Sequence, residues 1–447
     1  MERKLPKKRW NSLYLKEKSK LLKIEDIKQG FVEVVVEYYD QNEKNNLQKY
    51  SSANAIESTL ASRLKIPIPE FLTYYLFHRK RPSLTNLANY QQLSQNIYRS
   101  LNDLEDFIEF NGTSIIKPLN AGTQIEHITE HIGESIGLSL INRIHTLTEA
   151  DWDKIPESHG RNAVRTFDYQ IAASDGRNII QLEAKGSSVD DNRNKTAPIY
   201  THKENIVSKK KDIIEKGKKY PYPASIRYGT ITAVDSRKNG AVKCWLLDPD
   251  SQEISKGPKR FRLLSRMHFL YDWISFLGPQ SQLATALSNR ITDLETIQNP
   301  FELDGKPLLN SNNEPFYFRP FDYSRRHASW FTNKSKVTDG PAGGIIFQLS
   351  KNTLFFLGIF ENLLSLAADQ DFEKILEYKH KYPGSILKNV ECVINKNRFH
   401  EFDIPGTLLN KENNKLRRIH FELKGQLHYS QEGIVFGLLP LNTHSIG

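Results

Sequence analysis

Cysteine is nearly absent from this chain: Cys244 and Cys392 are the only two in 447 residues. Two thiols make no disulfide framework, and with 13 scattered histidines they leave no cysteine-based zinc knuckle. Long apolar runs are missing as well. The longest, Leu354 to Phe360, is far too short to span a bilayer, and the basic stretch Met1 to Arg9 is not followed by an apolar segment of signal-peptide length. A cytoplasmic protein with reduced thiols and no membrane association is the expectation. No Gly-x-x-x-x-Gly-Lys-Ser/Thr occurs, which excludes a P-loop, and no Gly-x-Ser-x-Gly nucleophile elbow is present. Asp175-Gly176 lacks the lysine a nucleotidyl-transferring ligase needs, because Ala173 holds that position. His127 and His131 are four apart, but no glutamate stands in the His-Glu-x-x-His position, so surface histidines are expected.

What the chain does have is the make-up of a folded protein. The hydrophobic fraction is 38%, with 23 Phe, 19 Tyr and 5 Trp, and 26% of residues are charged. That composition supports packed cores and excludes wholesale disorder. Lys and Arg number 62 against 52 Asp and Glu, a formal charge of +10, which points toward a polyanionic partner. The length suits two or three domains. Composition and pattern divide it into an N-terminal α+β domain over 1–115, a central domain over 116–255 and a C-terminal α+β domain over 256–447.

The hydrophobic periods place the elements. Residues 31–37 alternate as a strand, while residues 69–78 and 90–109 have helical patterns; residues 111–122, with Gly112, Pro118 and Gly122, form a linker. Ile125, Ile128, Ile132, Ile136 and Leu140 lie on one stripe, which predicts an amphipathic helix over 123–146 with Glu126, Glu130 and Glu134 on its flank. Residues 166–172 alternate as a strand, Asp175-Gly176 turns the chain, and residues 178–185 return as a hairpin partner. A helix over 202–217 and strands over 224–234 and 242–247 complete the block. Farther on, a helix over 267–294 and a hairpin over 425–439 are expected.

On the returning strand Glu183 and Lys185 are two apart, so both side chains emerge on one face, with Leu182 and Ala184 on the other. Asp168 is available from the neighbouring strand. Carboxylates with a cation beside them suit a hard divalent ion such as Mg²⁺ or Mn²⁺, which prefers oxygen ligands and a phosphate to complete its shell. At these residues the block resembles the PD-(D/E)xK, or restriction endonuclease-like, nuclease superfamily, with Phe167 in place of the proline that gives the motif its name. The resemblance implies an αβββαβ core with a mixed sheet. It also implies that Asp168 and Glu183 bind metal, Lys185 serves the attacking water, and Gln181, on the same face, contacts water or backbone. A further metal-linked glutamate from the preceding helix is implied, Glu130 first and Glu134 next.

Basic residues follow at once. Arg193, Lys195, Lys209, Lys210 and Lys211 stand where they would neutralise nucleic-acid phosphates. A second Glu-x-Lys, Glu422 and Lys424, with Asp403 upstream, precedes a hairpin instead of a basic helix, and a salt-bridged strand face is the expectation there. The aromatic and basic tract from Phe316 to Phe331 is expected to be a packed core with a basic rim. The functional expectation is a Mg²⁺-dependent endonuclease cutting DNA in preference to RNA, a bacterial restriction or antiphage defence effector acting as a homodimer or with a partner subunit. The alternative is a nucleic-acid-binding or scaffold protein that keeps the nuclease-like fold without cutting.

Overall fold

The alternation of Val32, Val34 and Val36 with more exposed neighbours builds a strand with one inward face, β1 (Phe31–Tyr38). The computed structural model describes residues 30–49, 51–77, 97, 99–103, 107–111, 114–116, 125–156, 165–172, 179–222, 224–235, 237, 241–247, 258–278, 281–316, 328–331, 342–350, 352–379, 384–395 and 418–441. Eight strands follow β1 in the first half: β2 (Leu64–Pro67), β3 (Ile108–Asn111), β4 (Ser114–Ile116), β5 (Asp153–Lys154), β6 (Tyr169–Ala172), β7 (Ile179–Val189), β8 (Ile226–Asp235) and β9 (Val242–Leu247). β3 and β4 pair with each other, and the other seven form one mixed sheet in the order β2-β1-β9-β8-β7-β6-β5. β5, β6 and β7 form an antiparallel meander, β7 runs parallel to β8, and β9 is antiparallel to β8 but parallel to β1. The boundary drawn at residue 115 therefore crosses a hydrogen-bonded sheet, because β1 and β2 extend the strands of the central block.

Two long helices cover this sheet. The Glu126–His145 helix buries Ile128, Ile132, Ile136 and Leu140, and the Ala197–Lys216 helix buries Ile199, Ile206 and Ile213. The first packs over Ala184 and Thr230 and the second over Gly229, which is out of phase with them on the register, so the helices lie on opposite faces. β8, central and covered on both sides, is buried at every position. Glu126–His145, β5, β6, β7, Ala197–Lys216 and β8 succeed one another in the chain. The protein is thus of the mixed α/β, α+β class.

Several local expectations change. The helix expected over 90–109 gives way to β3 from Ile108, and the linker over 111–122 contains β4. The helix expected over 267–294 is two helices, Pro258–Leu277 and Gln282–Thr296. They part at Gly278-Pro279, where proline removes an N–H and disfavours helix in the residue before it.

Beyond them, β10 (Ala328–Phe331), β11 (Ala342–Ser350), β12 (Thr353–Phe360), β13 (Gly384–Asn395), β14 (Arg418–Tyr429) and β15 (Ile434–Pro440) close into a barrel in the order β10-β11-β12-β15-β14-β13. Closure removes free strand edges. The expected C-terminal hairpin is β14 and β15, turned at Gly433, whose φ of +84° suits glycine. Phe316 packs partly buried against the core, Trp330 and Phe331 lie on β10, and the rest of that aromatic tract falls outside the described residues.

One apolar core runs from Val32, Ile132 and Leu182 through Trp273 and Phe276 to Phe347, Phe355 and Phe436. Phe77 stands edge-on to both Trp273, at 5.4 Å, and Phe436, at 5.2 Å, joining N-terminal, middle and barrel residues. Among the described residues no helix is long and apolar enough to cross a membrane.

A buried ionic clamp fixes the short strand β5. Asp151 is fully buried and accepts from Arg266 Nε at 2.5 Å and Arg262 Nε at 2.9 Å. Arg266 also donates to the carbonyls of Ile375, at 2.6 Å, and Tyr378, at 3.0 Å, while Ser265 Oγ donates to Asp153 at 2.6 Å. Burial alone would raise the Asp151 carboxyl, but Arg266 and Arg262 outweigh it and bring its pKa down to about 2. A carboxyl depressed below its unfolded value stabilises the fold above that value, and the contribution is lost as pH falls through the folded pKa. Asp151→Asn should therefore be less stable than the parent by about 2–3 kcal/mol at pH 7. The gap should shrink as pH drops from 4 toward 2. Urea unfolding across that range measures it, and a gap independent of pH would contradict the clamp.

Candidate active site

Asp168 ends the approach to β6, and Glu183 and Lys185 lie on the strand beside it. The antiparallel pairing sets Tyr169 opposite Leu182, and the Asp168 N–H donates to the Leu182 carbonyl at 3.1 Å. The Asp168 side chain turns back to accept from the Ala184 N–H at 3.2 Å. Ile155, next to β5, donates its N–H to the Asp168 carbonyl at 3.0 Å, so the clamp at Asp151 and Asp153 is tied through a short stretch of chain to the backbone that carries this carboxylate.

The three side chains converge. Lys185 Nζ is 2.6 Å from Glu183 Oε1 and 3.7 Å from Asp168 Oδ2. Glu183 is fully buried, while Asp168 and Lys185 retain about a quarter of their side-chain exposure, so the group opens to solvent on the Asp168 side. A fourth member comes from the covering helix. Lys209 Nζ sits 2.6 Å and 2.7 Å from the two Glu183 oxygens and 3.9 Å from Asp168 Oδ1. Burial, and then the Asp168 charge, push the Glu183 carboxyl above its usual range against the pull of the two lysines. For Lys185 burial works downward, but Asp168, Glu183 and Glu130 together hold its ammonium above the ordinary lysine value.

The remaining expected residues are placed as follows. Gln181 shares the face but is engaged elsewhere, its Nε2 donating to the Tyr222 carbonyl at 3.1 Å and its Oε1 accepting from Arg227 Nε at 3.2 Å. Glu130, half-buried, is close enough for its charge to act on Lys185, and Glu134 is half-buried one turn along the same helix. Among the described residues no group of three or more His, Cys, Asp or Glu side chains is arranged to hold a metal, so neither glutamate completes such a set with Asp168 and Glu183. The two carboxylates that do converge are hard oxygen donors facing a common ammonium, a set whose chemistry fits Mg²⁺ or Mn²⁺ better than a soft ion.

The basic residues divide. Arg193 is exposed and chelates Asp191 at 2.5 Å, and Lys211 is exposed. Lys195 lies over the Tyr39 ring at 4.7 Å, Lys210 is buried, and Lys209 points into the site. At the second Glu-x-Lys, Glu422 and Lys424 are exposed on β14 with Glu391 opposite Glu422, and Asp403 lies outside the described residues. His127 is exposed beside Asp103 at 3.4 Å, and His131 meets the edge of the Tyr75 ring.

Three features of the site emerge only in the structure. Lys209, expected as a phosphate contact, stands three residues after Ile206 and four before Ile213, on the inward stripe of its helix. His202, on the same helix, shares a hydrogen bond of 2.6 Å with Ser187, the next residue along the Glu183 and Lys185 face, and burial and then Lys185 lower its pKa. Gly133 and Gly186 let the Glu126–His145 helix lie backbone to backbone on β7, and Gly137 makes room for the Thr230 and Ala184 side chains. A Cβ on Gly186 would stand 1.8 Å from the Thr129 carbonyl oxygen, and one on Gly133 would stand 2.7 Å from Gly186.

No family model, curated protein or solved structure matches the chain.

Because the obstacle to a Cβ at Gly186 is main chain, the helix itself must move. Gly186→Ala should cost about 2–4 kcal/mol of stability, the range of overpacking and backbone strain. Equilibrium urea denaturation tests this, and a loss under about 0.5 kcal/mol, the scale of an inconsequential surface change, would show that the close approach is not rigid.

Proposed function

We propose that this chain is a metal-dependent nuclease of the restriction endonuclease-like kind, hydrolysing phosphodiester bonds with DNA preferred over RNA. The setting proposed is bacterial restriction or antiphage defence. The observation that carries the proposal is the convergence of Asp168 and Glu183 on Lys185, from two adjacent strands, at a site open on one side. The order of helix, three strands, helix and strand around it supports the same reading, as does the excess of basic residues.

In this proposal Asp168 and Glu183 would hold Mg²⁺ or Mn²⁺, which would acidify a bound water and offset negative charge on the scissile phosphate. Lys185 donates hydrogen bonds that orient the attacking water and stabilise the developing negative charge. The water oxygen bonds to phosphorus and gives up a proton to solvent, the bond from phosphorus to the bridging oxygen breaks, and the leaving oxygen takes a proton back from solvent. Arg193 and Lys211, both exposed, face the nucleic acid as phosphate contacts. Gln181 supports the strand through Tyr222 and Arg227 and stays outside the ligand set.

A second reading has one observation in its favour. Both Glu183 oxygens are engaged by lysines, as in a protein that binds nucleic acid through this architecture without cutting it. Incubation of the purified chain with plasmid DNA and Mg²⁺ or Mn²⁺ separates the two. Cleavage is expected, reduced at least about 1,000-fold by Asp168→Ala or Lys185→Ala, as for loss of a group acting in the transition state, and unchanged by Glu422→Ala. Intact plasmid in every tube, with band shifts that persist in chelator, would establish the binding protein instead.

A further inference from the structure

Glu183 cannot accept another cation as it stands. It has no exposed surface, Lys209 occupies both carboxylate oxygens at 2.6 and 2.7 Å, and Lys185 shares one of them at 2.6 Å. Lys209 lies within 3.9 Å of Asp168 as well, so one ammonium touches both groups that would hold a metal. Two carboxylates facing two ammoniums sum to no net charge. A divalent ion drawn to this pair thus meets little attraction and must displace a lysine to reach Glu183.

The two lysines are not equally free to leave. Lys185 is rooted on β7, two residues from Glu183, and spans both carboxylates from the strand itself. Lys209 reaches across from a separate helix through its four-carbon stem, and its side chain keeps a fifth of its exposure. That helix is anchored by Ile199, Ile206 and Ile213, so Lys209 can swing by rotamer change without moving the backbone. Lys216, seven residues and so two turns along the same helix, stands on the Lys209 side, where a phosphate backbone would reach that ammonium.

We propose that Lys209 is a metal-gating residue: its ammonium plugs the Asp168 and Glu183 pair until a nucleic-acid phosphate draws it away. Mg²⁺ or Mn²⁺ then binds tightly only together with substrate. The proposal rests on the metal-dependent nuclease reading and adds the order in which its site is assembled. Thermodynamic linkage makes the coupling reciprocal, so metal strengthens nucleic-acid binding by the same factor that nucleic acid strengthens metal binding.

The test is a Mn²⁺ titration followed by electron paramagnetic resonance on the full chain, with and without a phosphorothioate DNA duplex that resists cleavage. The parent protein should gain about tenfold or more in Mn²⁺ affinity when the duplex is added. Lys209→Met should reach that affinity with Mn²⁺ alone and gain less than about twofold from the duplex. Lys209→Arg keeps a cation and a fork for both Glu183 oxygens, and should stay as weak as the parent without DNA. Thermal melts of each variant establish that it is folded. A Lys209→Met protein that is folded and binds Mn²⁺ no more tightly than the parent overturns the gate, as does a parent whose Mn²⁺ affinity ignores the duplex. Gated Mn²⁺ binding without cleavage of unmodified DNA keeps the gate and removes the nuclease reading. Cleavage with equal Mn²⁺ affinity in parent and Lys209→Met does the reverse.

Discussion

A carboxylate with no exposed surface is the constraint on which the rest of this molecule turns. Leaving Glu183 charged inside a protein is costly unless cations and hydrogen bonds surround it. The fold answers with Lys185 from its own strand and Lys209 from the helix above, each 2.6 Å away. Asp168 joins through its contact to the Ala184 N–H, so the charged group is woven into the backbone pairing of β6 and β7. The arrangement is a compact, charge-balanced site on a rigid sheet, with one side open.

Its rigidity is supplied from outside the motif. On the far face, Gly133 and Gly186 bring the Glu126–His145 helix into main-chain contact with β7, which leaves the strand no room to shift. At the sheet edge, Arg262, Ser265 and Arg266 hold Asp151 and Asp153, and the next residues pass that restraint to Asp168 through the Ile155 N–H. The C-terminal region thereby contributes to the placement of a carboxylate it does not touch. The shared core around Phe77, Trp273 and Phe436 makes the barrel part of the same packed body.

Local periodicity was enough to find the elements that carry the site. A period of two put Glu183 and Lys185 on one face, and the isoleucine stripe located the Glu126–His145 helix. Contacts between distant segments were not legible. β1 enters the sheet by pairing with β9, some two hundred residues away, and nothing in either strand's pattern names its partner. β5 has two residues, too few for any period, and is defined by its pairing with β6 and by the arginine clamp. Lys209 and Lys210 sit in a run of lysines that reads as a set of phosphate contacts. Their inward placement follows only once Ile199, Ile206 and Ile213 are seen to face the sheet.

The most direct measurement is an anomalous difference map from crystals grown with Mn²⁺ and an uncleavable oligonucleotide. The expected result is a peak bounded by the carboxylates of Asp168 and Glu183, with Lys209 turned away from Glu183 toward a phosphate. A peak beside Glu422, or DNA bound with the Glu183 and Lys209 contact intact and no metal nearby, would contradict it.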